Sequence, residues 1–190
     1  MLPDFDRDKT HLTETTVSKN VLHRGIVVNM RRDEALRPDG KPCVREVVEH
    51  PGGVVILPLL PSGEIIMVEQ WRYPLGKTLI EVPAGKLERG EDPFEAAQRE
   101  LLEETGYKAH QWEPMHYIYT APGFCDEKLY LYKASELELI HPQAQGDEDE
   151  FLDIHKLTPD EAFALVRDGR ITDAKTLSLL LHVFGMRTKA

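Results

Sequence analysis

Residues 85–107 read GKLERGEDPFEAAQRELLEETGY and contain a glycine turn, a capped helix and several glutamates in close succession. Asp92 is a good N-cap residue, Pro93 suits the first helical position, and Glu95 completes a box-like cap. Gly106 is a signal for the end of the helix, because glycine commonly follows the last residue of a helix. The segment therefore predicts one amphipathic helix that begins after Asp92 and ends before Gly106.

Three glutamates of this helix fall on one arc. Glu100, Glu103 and Glu104 stand at i, i+3 and i+4 beside an apolar arc. Like charges at this spacing repel by roughly a few tenths of a kcal/mol per pair. A divalent cation would turn that repulsion into coordination, whereas the alternative is an ordinary solvated acidic face. The helix alone leaves both readings open.

The same segment resembles the Nudix box, G-x5-E-x7-R-E-U-x-E-E-x-G-U, where U is a bulky apolar residue. Nine specified positions are filled in order by Gly85, Glu91, Arg99, Glu100, Leu101, Glu103, Glu104, Gly106 and Tyr107. Tyr107 is aromatic where an aliphatic residue is commoner, and this departure concerns packing. The resemblance implies hydrolysis of a nucleoside diphosphate linked to another moiety.

Composition restricts the class of protein. The chain has 190 residues, 41% of them hydrophobic and 29% charged, which is enough for a core without disulfides. The net charge of −10 argues against nonspecific binding to nucleic acid. Two cysteines are too few for a disulfide framework, and no run approaches the ~18 apolar residues of a membrane span. We expect a cytoplasmic enzyme with no nucleic-acid or membrane partner.

The element pattern predicts an α/β fold: an α/β/α sandwich with a mixed sheet and a small N-terminal antiparallel β-sheet region. A boundary near residue 50 separates a β-rich region, 1–50, from the hydrolase domain, 51–190. A hairpin is expected from residues 54–60 and 64–70 around the turn at 61–63. The other expected strands cover 15–30, 42–49, 79–82, 112–120, 128–134 and 151–157, and two further helices begin at 158 and 173.

The resemblance extends to the ADP-ribose pyrophosphatase branch of the family. The segment YTAPGF, residues 119–124, places a proline sixteen residues after Gly106, as this branch does. The segments at 44–46 and 70–73 resemble its substrate-binding strand ends. By themselves a Pro-Gly turn and a single arginine are usually just a turn and a surface residue. The resemblance implies five substrate-binding residues: Arg45, Glu46, Arg72, Pro122 and Gly123.

The acidic run at 147–150 resembles the mobile loop that carries a catalytic glutamate in this branch, although four acids alone are often a solvated loop. By resemblance Glu148 is the general base, and Glu103 and Glu104 also serve catalysis. The implied ligands of Mg²⁺, with Mn²⁺ as the alternative, are the Ala84 carbonyl, Glu100, Glu103, Glu104 and Glu150. Gly85, Glu91, Arg99 and Gly106 are implied to be structural, with Arg99 pairing with Glu91 or another acid of the box.

Three functions follow from the resemblance. The first is Mg²⁺-dependent hydrolysis of ADP-ribose to AMP and ribose 5-phosphate. The second is hydrolysis of another nucleotide sugar, such as GDP-mannose or ADP-glucose, and the third is a noncatalytic ADP-ribose sensor. The N-terminal strands are expected to exchange between two subunits of a homodimer, although they could equally pack within their own chain.

Overall fold

The computed structural model describes residues 8–141 and 151–185. The chain divides into two compact units, one formed by Met1–His50 with Ala121–Glu127, the other by Pro51–Thr120 with Lys128–Ala190. Each unit has its own sheet structure. The first is a β-sheet, and the second carries the helices.

The first unit is built on a three-stranded antiparallel sheet in the order β1-β2-β3. Its strands are β1 (Thr15–Arg24), β2 (Asn29–Leu36) and β3 (Pro42–Glu49). The β2–β3 turn is closed where the Gly40 N–H donates to the Arg37 carbonyl at 2.8 Å, with Gly40 at a positive φ of 77°. Every residue of β1 is exposed. Residues 121–127 join this unit through Val48, whose N–H donates to the Phe124 carbonyl at 2.7 Å.

In its described residues, the second unit contains two sheets and three α-helices. Its strands are β4 (Gly53–Pro58), β5 (Ile65–Arg72), β6 (Lys77–Glu81), β7 (Ala84–Lys86), β8 (Tyr107–Tyr119), β9 (Lys128–Leu139) and β10 (Leu152–Leu157). Its helices are α1 (Pro93–Thr105), α2 (Pro159–Arg167) and α3 (Ala174–Leu180), the last followed by a π-helical turn at Leu181–Gly185. One sheet has the order β7-β4-β9-β8 and the other β10-β5-β6.

Strand β4 lies at the centre of the core, and its side chains alternate between two layers. Val54 and Ile56 pack in one cluster with Ala96, Ala97 and Leu101 of α1. Val55 and Leu57 pack in the other cluster, which includes side chains of α2 and α3. Because β4 pairs parallel with β9 and antiparallel with β7, the sheet is mixed. The predicted α/β/α fold class is confirmed.

The predicted hairpin between 54–60 and 64–70 is wrong. A turn does form there, and the Leu60 N–H donates to the Glu64 carbonyl at 2.9 Å. The two strands then enter different sheets, joined only by a single bridge between Leu59 and Ile65. Both edges of β4 are already paired, with β7 and β9, so β5 pairs instead with β6 and β10.

Helix α1 begins and ends where the local signals predict. The Asp92 side chain accepts hydrogen bonds from the Phe94 and Glu95 N–H groups, at 2.8 and 3.3 Å. Gly106 takes the left-handed conformation, with φ 73°, and its N–H donates to the Leu102 carbonyl. A Cβ on Gly106 would stand 2.0 Å from the His141 carbonyl oxygen, so close approach as well as φ requires glycine. β8 follows immediately, five residues earlier than predicted.

Candidate active site

Arg99 is the centre of a cluster of carboxylates on α1 and the preceding loop. Its Nε and Nη2 donate to the two carboxylate oxygens of Glu91 at 2.9 and 3.1 Å. Its Nη1 donates to Glu100 at 2.8 Å and to Glu103 at 2.9 Å. The Glu91 hydrogen bonds raise the pKa of Arg99 and lower the pKa of Glu91. One guanidinium therefore holds three carboxylates in fixed positions.

Two further contacts dock α1 onto β7. Glu104 is 2% exposed and its carboxylate accepts the Ala84 N–H at 3.0 Å. Gly85 faces Glu100 so closely that no side chain fits between them, because an added Cβ would stand 1.8 Å from the Glu100 carboxyl carbon. Glycine at position 85 thus lets a glutamate of α1 reach the strand backbone.

The donor chemistry of this cluster fits a divalent cation. We define the box carboxylates as Glu91, Glu100, Glu103 and Glu104. The first three pair with Arg99, and Glu104 accepts the Ala84 N–H. Carboxylate oxygens are the ligands that Mg²⁺ and Ca²⁺ take in proteins. Within 8–141 and 151–185, however, no three His, Cys, Asp or Glu side chains form a closed metal-binding group. Glu100, Glu103 and Glu104 would hold a cation here only with other donors.

A second group of charges lies at the end of β6. We call it the Glu81 cluster and define it as Arg72, Glu81, Asp173 and Lys175. Glu81 is fully buried and is held by both nitrogens of an Arg72 fork, at 2.8 Å from Nε and 2.6 Å from Nη2. Lys175 donates to the same carboxylate and lies 3.0 Å from Asp173. The Glu81 hydrogen bond raises the pKa of Arg72, and Glu104 and Asp173 add to it.

The other predicted site residues lie elsewhere. Arg45, Glu46, Pro122 and Gly123 belong to the first unit and are exposed. The Arg45 Nε donates to Glu14 at 2.9 Å, and a second nitrogen completes the fork. The structure thus gathers the residues of the box around α1, whereas these four belong to the first unit, two on β3 and two in the segment 121–127. Glu148 and Glu150 lie outside the described residues.

Sequence reasoning missed Lys175 and Asp173. The pattern Asp173-x-x-Thr176 does indicate a helix start, and the Asp173 side chain accepts the Thr176 N–H at 2.9 Å. Nothing in that pattern shows that this helix end docks on β6. There the Thr176 hydroxyl accepts the Val82 N–H at 3.0 Å.

Comparison with known proteins identifies the family. The NUDIX domain model matches residues 49–180, which is more than half of the chain and includes the whole box. The chain belongs to the Nudix family. The predictions of the family and of a Nudix hydrolase are confirmed, and Nudix hydrolases generally use divalent metal ions.

Relatives of this Nudix hydrolase carry several names. An ADP-ribose pyrophosphatase of Bacillus subtilis (strain 168) is 42% identical over 87% of this chain and 89% of its own. A methanol dehydrogenase activator of Bacillus methanolicus is 44% identical over 86% and 89%. A GDP-mannose pyrophosphatase of Yersinia pestis (strain Pestoides F) is 33% identical over 73% and 74%. Two of these names are pyrophosphatases of different substrates, and the third is an enzyme activator.

A solved structure agrees with the Nudix fold. The crystal structure of an ADP compounds hydrolase superposes with a TM-score of 0.77 and covers 90% of this chain and 91% of its own. At 23% identity it supports the fold alone. In the part of the chain that the structure describes, no helix is long and apolar enough to cross a membrane.

Proposed function

We propose that this Nudix hydrolase cleaves the pyrophosphate bond of ADP-ribose to give AMP and ribose 5-phosphate. The observation that carries the reaction type is the packing of Glu100 and Glu104, two buried carboxylates, against the β7 backbone at Ala84 and Gly85. The substrate is supported by the name of the B. subtilis relative. Its 42% identity extends over most of both chains.

Mg²⁺ is the proposed metal, with Mn²⁺ as the alternative. Bound metal would neutralise the pyrophosphate and lower the pKa of the attacking water. Glu100, Glu103, Glu104 and the Ala84 carbonyl are the proposed ligands, together with Glu150. Arg99 fixes the orientation of Glu100 and Glu103, because each accepts one of its hydrogen bonds.

Two other roles are proposed for residues outside the box. Glu148 accepts a proton from the attacking water at its carboxylate, as a general base does. Arg72 and Arg45 each bind a phosphate through a planar fork, the geometry with which each now holds a glutamate. Glu46, Pro122 and Gly123 complete the proposed substrate contacts.

A homodimer is the proposed assembly, formed through the strands of the first unit. Its support is the run of exposed apolar side chains along this sheet, among them Val17, Val21, Leu22 and Val44. Exposed apolar surface of this kind commonly marks an interface. The protein should therefore elute from a size-exclusion column as a species whose mass, measured by light scattering, is that of two chains. Val21→Asp should give monomers, whereas the exposed polar control Ser18→Asp should not.

We also propose that the enzyme acts in the cytoplasm. Cys43 and Cys125 are both free thiols, as expected of a protein from a reducing compartment.

The function is tested with a panel of ADP-ribose, GDP-mannose and ADP-glucose, each incubated with purified protein and Mg²⁺. The expected result is a dominant initial rate on ADP-ribose, with AMP and ribose 5-phosphate as products. Preference for GDP-mannose would instead assign the activity named for the Yersinia relative. Binding of ADP-ribose without turnover of any substrate would identify a sensor and contradict the proposal.

A further inference from the structure

Glu81 is a buried carboxylate with two cationic partners. It is 0% exposed, and its carboxylate accepts hydrogen bonds from the Arg72 fork and from Lys175. A buried charge needs a partner, and removal of a sole partner leaves the charge uncompensated. Lys175 also pairs with Asp173, so the two cations and two carboxylates of the Glu81 cluster balance in charge. Glu81 itself has two cationic partners, and Lys175 can stay on it when Arg72 leaves.

The two cations differ in access to solvent. The Arg72 side chain is 35% exposed, whereas that of Lys175 is 13% exposed. The Glu81 hydrogen bond raises the pKa of Arg72, and the charge of Glu104, one of the box carboxylates, raises it further. Arg72 is thus the cation that a ligand beside the box can reach, and Lys175 is the inner one.

Lys175 stands at a position that its helix disfavours. It is the second residue of α3, where the free N–H groups of the first turn repel a cation. Its contacts with Glu81 and Asp173 offset that repulsion. The helix end is fixed in place, because Thr176 is fully buried and bonds both the Val82 N–H and Asp173. Lys175 is therefore held on Glu81 by rigid neighbours.

We propose that Lys175 is a positioning residue that frees Arg72 to bind a substrate phosphate. When Arg72 exchanges Glu81 for a phosphate of a nucleotide sugar, Lys175 remains on the buried carboxylate and keeps it neutralised. Without Lys175, Arg72 would be the only cation on Glu81 within residues 8–141 and 151–185, and it would be retained there. This inference rests on the proposed function, since it needs a phosphate-bearing substrate.

The first test is Lys175→Met with ADP-ribose and Mg²⁺. We expect KM to rise about tenfold, the effect of about one charge-assisted hydrogen bond, with kcat changed less than about twofold. Lys175→Arg, which keeps the charge, should have a KM close to that of the wild type. Lys133→Met removes a different ion-paired lysine, on Glu113, and should leave KM unchanged. An unchanged KM in Lys175→Met overturns the inference.

The second test removes Lys175 where Glu81 carries no charge. In Glu81→Gln, the buried carboxylate that accepts the Arg72 fork is gone, so the added Lys175→Met change should leave KM unaltered. A further tenfold rise would place Lys175 on the substrate itself and overturn the inference. Thermal unfolding shows whether Lys175→Met alone folds. If it does not, the double variant in the Glu81→Gln background still tests whether Lys175 acts through Glu81.

Failure of the inference is distinguishable from failure of the proposed function. Wild-type protein that hydrolyses no member of the nucleotide-sugar panel overturns the function. Active wild-type protein with insensitive Lys175 variants overturns only the role of Lys175. The dissociation constant of ADP-ribose, measured by calorimetry with EDTA, should rise in Lys175→Met in parallel with KM.

Discussion

Gly85 and Glu100 are in such close contact that a Cβ on Gly85 would stand 1.8 to 2.2 Å from the three carboxyl atoms of Glu100. The obstacle is the end of a flexible side chain, which can move, rather than backbone. A side chain at position 85 would therefore displace the carboxylate and leave the strand in place.

Gly85→Ala should consequently lose activity more than stability. We expect kcat/KM with ADP-ribose to fall about 100-fold, because even a small misplacement of a catalytic group has such an effect. The control is Gly90→Ala, in the loop between β7 and α1, where an added Cβ meets no atom of the described residues within 4 Å but φ is +83°. Gly90→Ala should lower the free energy of unfolding by about 1 kcal/mol, because alanine is strained in the left-handed conformation. Its kcat/KM should be nearly unchanged. Equal activity losses in both variants would contradict the role of the Gly85 contact.

Glu104→Gln should nearly abolish turnover and preserve the fold. The amide oxygen can still accept the Ala84 N–H that Glu104 accepts at 3.0 Å, but the charge offered to a metal is gone. We expect kcat to fall about 10³-fold, equivalent to several kcal/mol of metal-dependent stabilisation. Circular dichroism should show the native spectrum. Glu95→Gln, an exposed glutamate on the same helix, should retain full activity. Substantial activity in Glu104→Gln would exclude Glu104 as a metal ligand.

The Glu91–Arg99 pair should make stability depend on acid pH. Because Arg99 lowers the pKa of Glu91 below its ordinary 4.5, the folded state binds that proton less readily than the unfolded chain. The contribution is complete above the ordinary pKa and disappears as pH falls through the lowered one. Glu91→Gln should therefore unfold about 1 kcal/mol more easily at pH 7, the value of a typical hydrogen bond.

Urea unfolding from pH 7 down to pH 3 measures this dependence. The difference in free energy of unfolding between wild type and Glu91→Gln should stay constant above pH ~5. It should become smaller below the ordinary pKa of glutamate. Glu88→Gln changes an exposed glutamate of the same loop and should follow wild type throughout. A difference that persists unchanged at the lowest pH would show that the glutamine variant fails for a reason other than charge.

Glu148 and Glu150 are predicted to differ in function. Glu148→Gln removes the proposed general base, so kcat should fall by about 10²- to 10⁴-fold, and its dependence on acid pH should be lost. Glu150→Gln removes a proposed metal ligand and should raise the Mg²⁺ concentration required for half-maximal rate. A pH–rate profile and a Mg²⁺ titration on both variants distinguish the roles. The reverse pattern would exchange the two assignments.

Local signals in the chain predicted the helix of the box and its ends. Asp92 and Gly106 act through hydrogen bonds to residues two to four positions away, so chain order alone specifies their partners. The same holds for the capping box at Thr158 and Glu161, which starts α2. The spacing of Arg99, Glu100, Glu103 and Glu104 fixes the relative positions of these side chains, because all four lie on one helix. Together with Glu91 in the preceding loop, this spacing carried the resemblance to the family.

The pairing of distant segments could not be predicted from local patterns. The short turn at 61–63 suggested a hairpin, yet β4 and β5 enter different sheets because both edges of β4 are paired with β7 and β9. Lys175 meets Glu81 across 94 positions, a contact that no local pattern contains. Such pairings depend on which faces the core buries and where a helix end docks, and these are properties of the whole packed unit.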